Sequence, residues 1–323
     1  MLKIHFTPAD LARTNVAPAV DPLWEIVLSG FQLDRLETTL LRPWVHRLRS
    51  DPARVTAMRP GARVLGVLAP RGAYFPDFLT PGRGALGLDL GLEAVRSVDV
   101  DRLTHEVHRL GTHHPLPPWT RDLGNPSSDV LRRLVDTWRS YHEAVIRPEE
   151  DTIQAAVDAD LAQRAHAILT GGLTGLFDSL APLLRWRAPV LEVDYPLDRH
   201  IHLGGRGLRL IPSYFCQGTP ISLADPDLPP ILVYPIAAEH RLPDQRSGDP
   251  LASLLGPTRA AVLHAVGSGR TTSELARRTT ISIASASRHT AVLREAGLIS
   301  SWRHGATIRH SLTDTGTRLL GRT

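Results

Sequence analysis

The stretch with the most pointed chemistry lies between positions 282 and 309. Ser282, Ile283, Ser285, Ser287, Arg288 and His289 come first, then Arg294, and then Arg303, His304 and Arg309. Small hydroxyl groups beside one forked cation suit a groove lined with acceptors. Short side chains let the backbone sink in, and a guanidinium reads guanine or grips a phosphate. Ile283 would add an apolar contact to a thymine methyl. The spacing predicts Ser282 as a helix cap at the groove, with Ile283, Ser285, Ser287, Arg288 and His289 toward base edges. Arg294, Arg303, His304 and Arg309 would hold phosphates or the neighbouring groove. The partner this chemistry fits is double-stranded DNA.

His105 and His108 stand three apart on one predicted helix, and His113-His114 follows its end. Imidazoles so placed could bind zinc. HEVH, however, is one residue short of the HExxH pattern, and no cysteine is near. Surface histidines are the expectation, and no metal or cofactor is assigned. Gly204-Gly205-Arg206-Gly207 could cradle a phosphate, but without a helix start behind it the stretch reads as a hairpin turn. The sequence has no phosphate loop, nucleophile elbow or GxGxxG after a strand. No catalytic residue is assigned, and the expectation is that the chain is not an enzyme.

The elements that must hold the 282–309 residues are legible. Ser273–Arg278 is a short helical pattern that stops at Thr279-Thr280. Ser282 sits where an N-cap belongs. Ala286, His289 or Thr290, and Leu293 then recur at helical spacing on one face. Gly297 follows as a left-handed terminator, and Leu298 can seal it. Leu298–Arg303 and Thr307–Leu312 read as strands joined at His304-Gly305. Together these make a helix-turn-helix with a wing.

SASRHTAVLREAGLI, followed by R-x-G and a short strand, resembles the ArsR-like winged-helix regulators, and LLGPTRAAVLHAV resembles the first helix of the same domain. The resemblance covers about the last 70 residues. Leu is common in the family at the position of Thr290, a larger aliphatic at that of Ala286, and a polar base-reader at that of Ile283. The resemblance implies a transcriptional regulator. One recognition helix reads few base pairs, so a homodimer is expected, and the lone Cys216 fits a reducing, cytoplasmic setting. The resemblance further implies a repressor of the long actinobacterial type, whose N-terminal extension supplies dimer contacts and a site for a small-molecule effector. The alternative is an enzyme-like or protein-interaction N-terminal region, with the winged helix serving protein contacts.

Charge points the same way. Residues 258–323 hold ten arginines against Glu274, Glu295 and Asp314, a net of +7, while residues 1–257 hold 27 basic and 30 acidic residues, a net of −3. A formal total of +4 therefore hides a basic tail on a mildly acidic body. Cys216 is the only cysteine, which excludes an intramolecular disulfide and the multi-thiolate site of metal-sensing relatives. No apolar run is long enough to span a membrane, and the first residues lack a signal core.

The rest is expected to be mostly helical with some strand, an α+β class: a mainly helical N-terminal domain with a β-hairpin region at 1–240, a linker at 241–249, and the winged helix-turn-helix at 250–323. Thr7-Pro8-Ala9-Asp10 and Asp21-Pro22 open helices, and another runs through Asp34–Leu48. Trp24, Phe31 and Trp44 are core candidates. RPGARVLGVLAPRG reads as a turn, a buried run and a second turn. Ser127 or Ser128 starts a helix through Ile146. The next begins at Pro148 and stops at Gly171-Gly172, with a shorter one over Leu173–Leu184. Four β-rich runs follow, at 190–196, 200–203, 207–215 and 231–236. Tyr195, Tyr214 and Phe215 on them are candidates for a pocket wall.

Overall fold

The computed structural model describes residues 1–33, 40–70, 72, 74–125, 129–241, 250–267, 269–305 and 307–320, leaving aside the side chains of Pro250, Ser253 and His304. The chain is of the mixed α+β class and divides into two compact units, Met1–Pro243 and Asp244–Thr323. Among the described residues no helix is long and apolar enough to cross a membrane.

The first unit carries helices α1 (Pro8–Arg13), α2 (Pro22–Leu33), α3 (Arg42–Arg49), α4 (Pro52–Leu68), α5 (Leu88–Arg96), α6 (Val100–Gly111), α7 (Val130–Val145), α8 (Glu150–Asp178) and α9 (Ala238–Arg241). Its strands form two sheets. In one, β1 (Leu2–His5) lies between β4 (Val190–Val193), antiparallel, and β5 (Arg199–His202), parallel, and β3 (Leu184–Arg187) pairs with β4. In the other, β2 (Asn15–Val16), β6 (Arg209–Ser213) and β8 (Ile231–Pro235) run parallel, and β7 (Ile221–Ser222) closes the edge antiparallel to β8.

Strands β6 and β8 separate two cores. Ile211, Ile231 and Val233 join the helical core around Trp24, Trp44, Trp138 and Tyr141. Leu210, Leu232 and Tyr234, one residue out of phase, join a second core with Leu2, Ile4, Phe177 and Leu191. A strand buried on both faces reads as a continuous apolar run, as ILVYP does.

Local chemistry explains the starts of α1 and α2. Thr7 and Asp10 form a reciprocal capping box, with Pro8 in the first turn. Asp21 accepts the Leu23 N–H at 3.0 Å at the head of α2. Trp24 and Trp44 are core, as expected, whereas Phe31 is only half-buried.

Several sequence expectations change. Pro60-Gly61 is not a turn but lies inside α4. Gly61 packs so closely on α7 that an added Cβ would stand 2.6 Å from Tyr141 Cβ. Only α3 occupies the described part of the expected Asp34–Leu48 helix, since residues 34–39 fall outside the described set, as do Ser127 and Ser128. At Gly172 (φ 61°, ψ −151°) the helix breaks as expected, but the segment after it ends at Asp178, and Leu184 opens β3. Gly204–Gly207 is no hairpin turn: it carries the chain from β5 in one sheet to β6 in the other. The Gly207 N–H donates to Asp10 Oδ1 at 2.9 Å, and a Cβ there would strike the Arg13 backbone. The hairpin of this region is β3–β4 instead. Arg241, which the sequence reading puts at the start of the linker, is buried and donates to the Ser213 and Cys216 carbonyls.

Candidate nucleic-acid interface

The second unit holds α10 (Pro250–Leu255), α11 (Pro257–Val266), α12 (Thr272–Arg278), α13 (Ile283–Glu295) and α14 (Asp314–Leu319), with the sheet β10 (Ile299–His304), β11 (Thr307–Leu312) and β9 (Arg270–Thr271). Ala260, Leu263, Val266, Leu275, Leu293 and Ile299 pack its core.

Helix α13 is fixed at both ends by its own sequence. The Ser282 hydroxyl accepts the Ser285 N–H at 3.1 Å. At the far end Gly297 takes φ 71°, its N–H reaches the Arg294 carbonyl, and the Leu298 N–H reaches that of Leu293, both at 2.9 Å. This is the Schellman pairing, and Leu298 is buried beneath it. Ala286, Thr290 and Leu293 turn inward. Thr290, a hydroxyl where an aliphatic is the commoner choice, satisfies itself on the Ser287 carbonyl at 3.0 Å. Helix α12 starts on a capping box, Thr271 with Glu274, which the T-x-x-E spacing carries and the sequence reading passed over. Between the helices Thr280 takes φ 55° without being glycine, and the Ile281 N–H closes on the Ala276 carbonyl.

At about 100° per residue, Ala284, Ser287 and Arg288 lie exposed on the side of α13 turned away from its core stripe, with Val292 and Glu295 further along. Ile283 (59% exposed) stands near the stripe's own line and is open because it begins the helix. Ser282, Arg294 and Arg303 are also exposed. Ser285 and His289 are half-buried on the flank, set back from the exposed side. Partial burial, then the charges of Arg259 and Arg288, hold the His289 imidazole below its ordinary value. The His304 side chain lies outside the described residues.

The wing separates two arginines that the sequence reading grouped. Trp302 stands opposite Arg309 and Arg303 opposite Ile308, so Arg303 and Arg309 occupy opposite faces of the ribbon. Arg309 is half-buried and close enough to Glu274 to help hold that carboxyl below the usual range, after the hydrogen bonds from Thr271. Exposed Trp302 and Ile308 are additions that strand alternation through SWRHGATIRH could have revealed. So is His310, buried, with Nδ1 on the Ser301 hydroxyl at 2.7 Å and Nε2 on that of Thr272 at 3.0 Å. Burial, and then the Arg294 charge, keep its imidazole below the ordinary value.

The first unit's histidines are placed otherwise. His105 and His108 are exposed, the His113 ring tilts against Tyr74, and His114 Nε2 meets the Val67 carbonyl at 3.2 Å. Glu106 is buried, accepting from Phe78 N–H and Arg102. His5 stacks against His200 and His202. Parallel rings do not converge their lone pairs on one ion, and among the described residues no group of three or more such side chains is arranged for a metal. The glycine loop offers no anion cradle, because Gly207 N–H is spent on the Asp10 carboxylate. Tyr214 and Phe215 belong to the helical core, and Tyr195 lines a cavity.

Residues 254–301 match the model of a helix-turn-helix domain family, taking in α11, α12, α13 and the start of β10. No curated protein and no solved structure matches the chain. The match and the geometry agree on a helix-turn-helix of the kind that binds DNA.

Proposed function

We propose that the chain is a sequence-specific transcriptional regulator of the ArsR-like kind, a cytoplasmic homodimeric repressor whose N-terminal unit supplies dimer contacts and senses a small molecule. The observation that carries this reading is the exposed face Ala284, Ser287 and Arg288, with Ile283 open at the first position, on a helix capped at both ends. Three small or apolar residues allow close approach to base edges. Among the described residues Arg288 has no carboxylate within ion-pair distance, so its guanidinium is available to guanine or phosphate. Arg294 and Arg303 extend the contact to the backbone, and Arg309 divides its charge between Glu274 and the wing groove. Dimerisation follows because one recognition helix reads few base pairs, and useful affinity needs two half-sites. No catalytic residue, metal or cofactor is part of the reading.

A second reading, a winged helix used for protein contacts, draws on exposed Trp302 and Ile308. One measurement decides between them: binding to DNA upstream of the protein's own gene across a salt series, wild type against Arg288→Ala. The regulator reading expects sequence-selective binding with a steep salt dependence. Loss of a base-reading arginine costs about 1–3 kcal/mol, so the mutant should bind about five- to 150-fold more weakly. If neither protein binds, in this assay or in a selection from genomic fragments, the protein-contact reading replaces it.

A further inference from the structure

The first unit contains a cavity of about 280 Å³ between α2, the loop at 74–77, the segment after β4, and β7. Phe31, Tyr74, Phe75 and Tyr195 supply aromatic walls, and Phe31 and Phe75 meet edge-on at 6.1 Å. A cavity of about 150 Å³ suffices for benzene, so this one has room for a ring and a short polar arm.

Charge decides which arm. The lining carries two guanidinium groups, Arg109 and Arg199, against one carboxylate, Asp77. Asp77 is committed: it accepts the Ala224 N–H at 2.9 and 3.0 Å and the Asp225 N–H at 2.7 Å. Arg199 donates to the Leu223 and Ala224 carbonyls at 2.7 and 2.9 Å, bonds that fix its position without cancelling its charge. Arg109 is exposed at the rim, its guanidinium carbon 4.4 Å from the Tyr74 ring centre. Among the described residues neither arginine has a carboxylate within ion-pair distance. A cationic guest is the usual alternative for aromatic walls, but Arg109 already occupies the Tyr74 face and would repel it.

We infer that this cavity is a binding site for small aromatic carboxylates, the ring between Phe31, Phe75 and Tyr195 and the carboxylate on Arg109. As an effector site it rests on the regulator reading; as a binding site it stands alone.

The test is calorimetric titration of the full chain, without DNA, with phenylacetate, phenylacetamide and phenethylamine, which share a ring and differ in charge. Phenylacetate should bind at least about tenfold more tightly than the amide, and the amine no more tightly than the amide. Arg109→Gln, at an exposed position, should shrink that preference to about twofold or less. Ile221→Trp, which fills the cavity, should abolish binding of all three. Equal affinity for acid and amide, tighter binding of the amine, or no binding by any of them would overturn the inference. DNA binding is read separately. DNA binding without phenylacetate binding sinks the cavity alone, whereas the reverse supports the cavity and removes the regulator reading.

Discussion

The two units are fastened differently. In the first, buried carboxylates reach far along the sequence to backbone N–H groups or a hydroxyl. Asp10 takes Gly207 N–H, Glu25 takes Tyr214 and Phe215 N–H at 2.8 and 3.0 Å, and Asp77 takes those of Ala224 and Asp225. Asp160 holds Arg164 and the Tyr234 hydroxyl, all three buried. In the second, three helices start on hydroxyl caps acting within three residues: Thr271 on Glu274, Ser282 on Ser285 and Thr313 on Gly316. A longer side-chain tie there is an imidazole, His310 between Thr272 and Ser301, in place of a buried carboxylate. Long-range buried anions make a unit that is stiff as a whole and costly to injure. Local caps make one whose helices each depend on their own sequence.

The contrast breaks first, and most severely, at Asp160→Ala. It strands the buried Arg164 cation, and such a loss costs about 3–5 kcal/mol. In chemical denaturation of the full chain, the transition followed by fluorescence of the buried Trp24, Trp44 and Trp138 should move by that amount. Amide exchange in α13 should not change; equal loss in both units would refute separate fastening. Glu25→Gln comes next. Its amide NH₂ would face the Tyr214 or Phe215 N–H, donor against donor, at about 1–3 kcal/mol, seen in the same fluorescence transition. Ser282→Ala should cost about 1 kcal/mol, with faster exchange confined to the first turn of α13, and exchange in α2 and β6 should be unaffected.

The smallest and most discriminating test is pH. Burial pushes the Glu25 carboxyl from 4.5 up to about 7, and those of Asp21 and Asp77 from 3.8 up to about 6. Across those windows the folded state holds more protons than the unfolded one, so acidification stabilises the first unit through these groups. His5 and His142, held below the ordinary imidazole value chiefly by burial, oppose this. In the second unit His289 and His310 are also held below 6.5. There the unfolded state holds more protons, so stability falls as pH drops from neutrality through the folded values. Thermal scans at about pH 7.5 and 5.5 should show the first unit's transition rising while the second unit's falls, and His310→Gln should flatten only the latter. Parallel movement of both would erase the distinction.

What the sequence made legible follows the same divide. Ser282, Gly297 and Leu298 act on neighbours a few residues away, so their roles could be read in place. Ser287 and Arg288 fell on the exposed face because a 3.6-residue period leaves little choice, whereas Ile283 is exposed only because it begins the helix. Ser285 and His289 did not fall there, since they stand at the edge of the buried stripe. Arg303 and Arg309 were grouped by type, but pairing with Ile308 and Trp302 separates them. In the first unit little was readable, because meaning lies in distant partners. Glu25 is one acid among many until Tyr214 and Phe215 fold against it, and Pro60-Gly61 looks like a turn until Tyr141 packs there. Strand β1 went unread because its partners lie nearly two hundred residues on.

That last separation bears on synthesis. Residues 2–5 are made well before the neighbours that flank them in the sheet, 190–193 and 199–202. At about 5–20 residues per second the wait is on the order of ten to forty seconds. Throughout it Leu2, Ile4 and Phe6, all buried in the finished fold, have no sheet to enter. Strand β1 thus spends that time open to wrong pairing, a stage at which a chaperone would serve it.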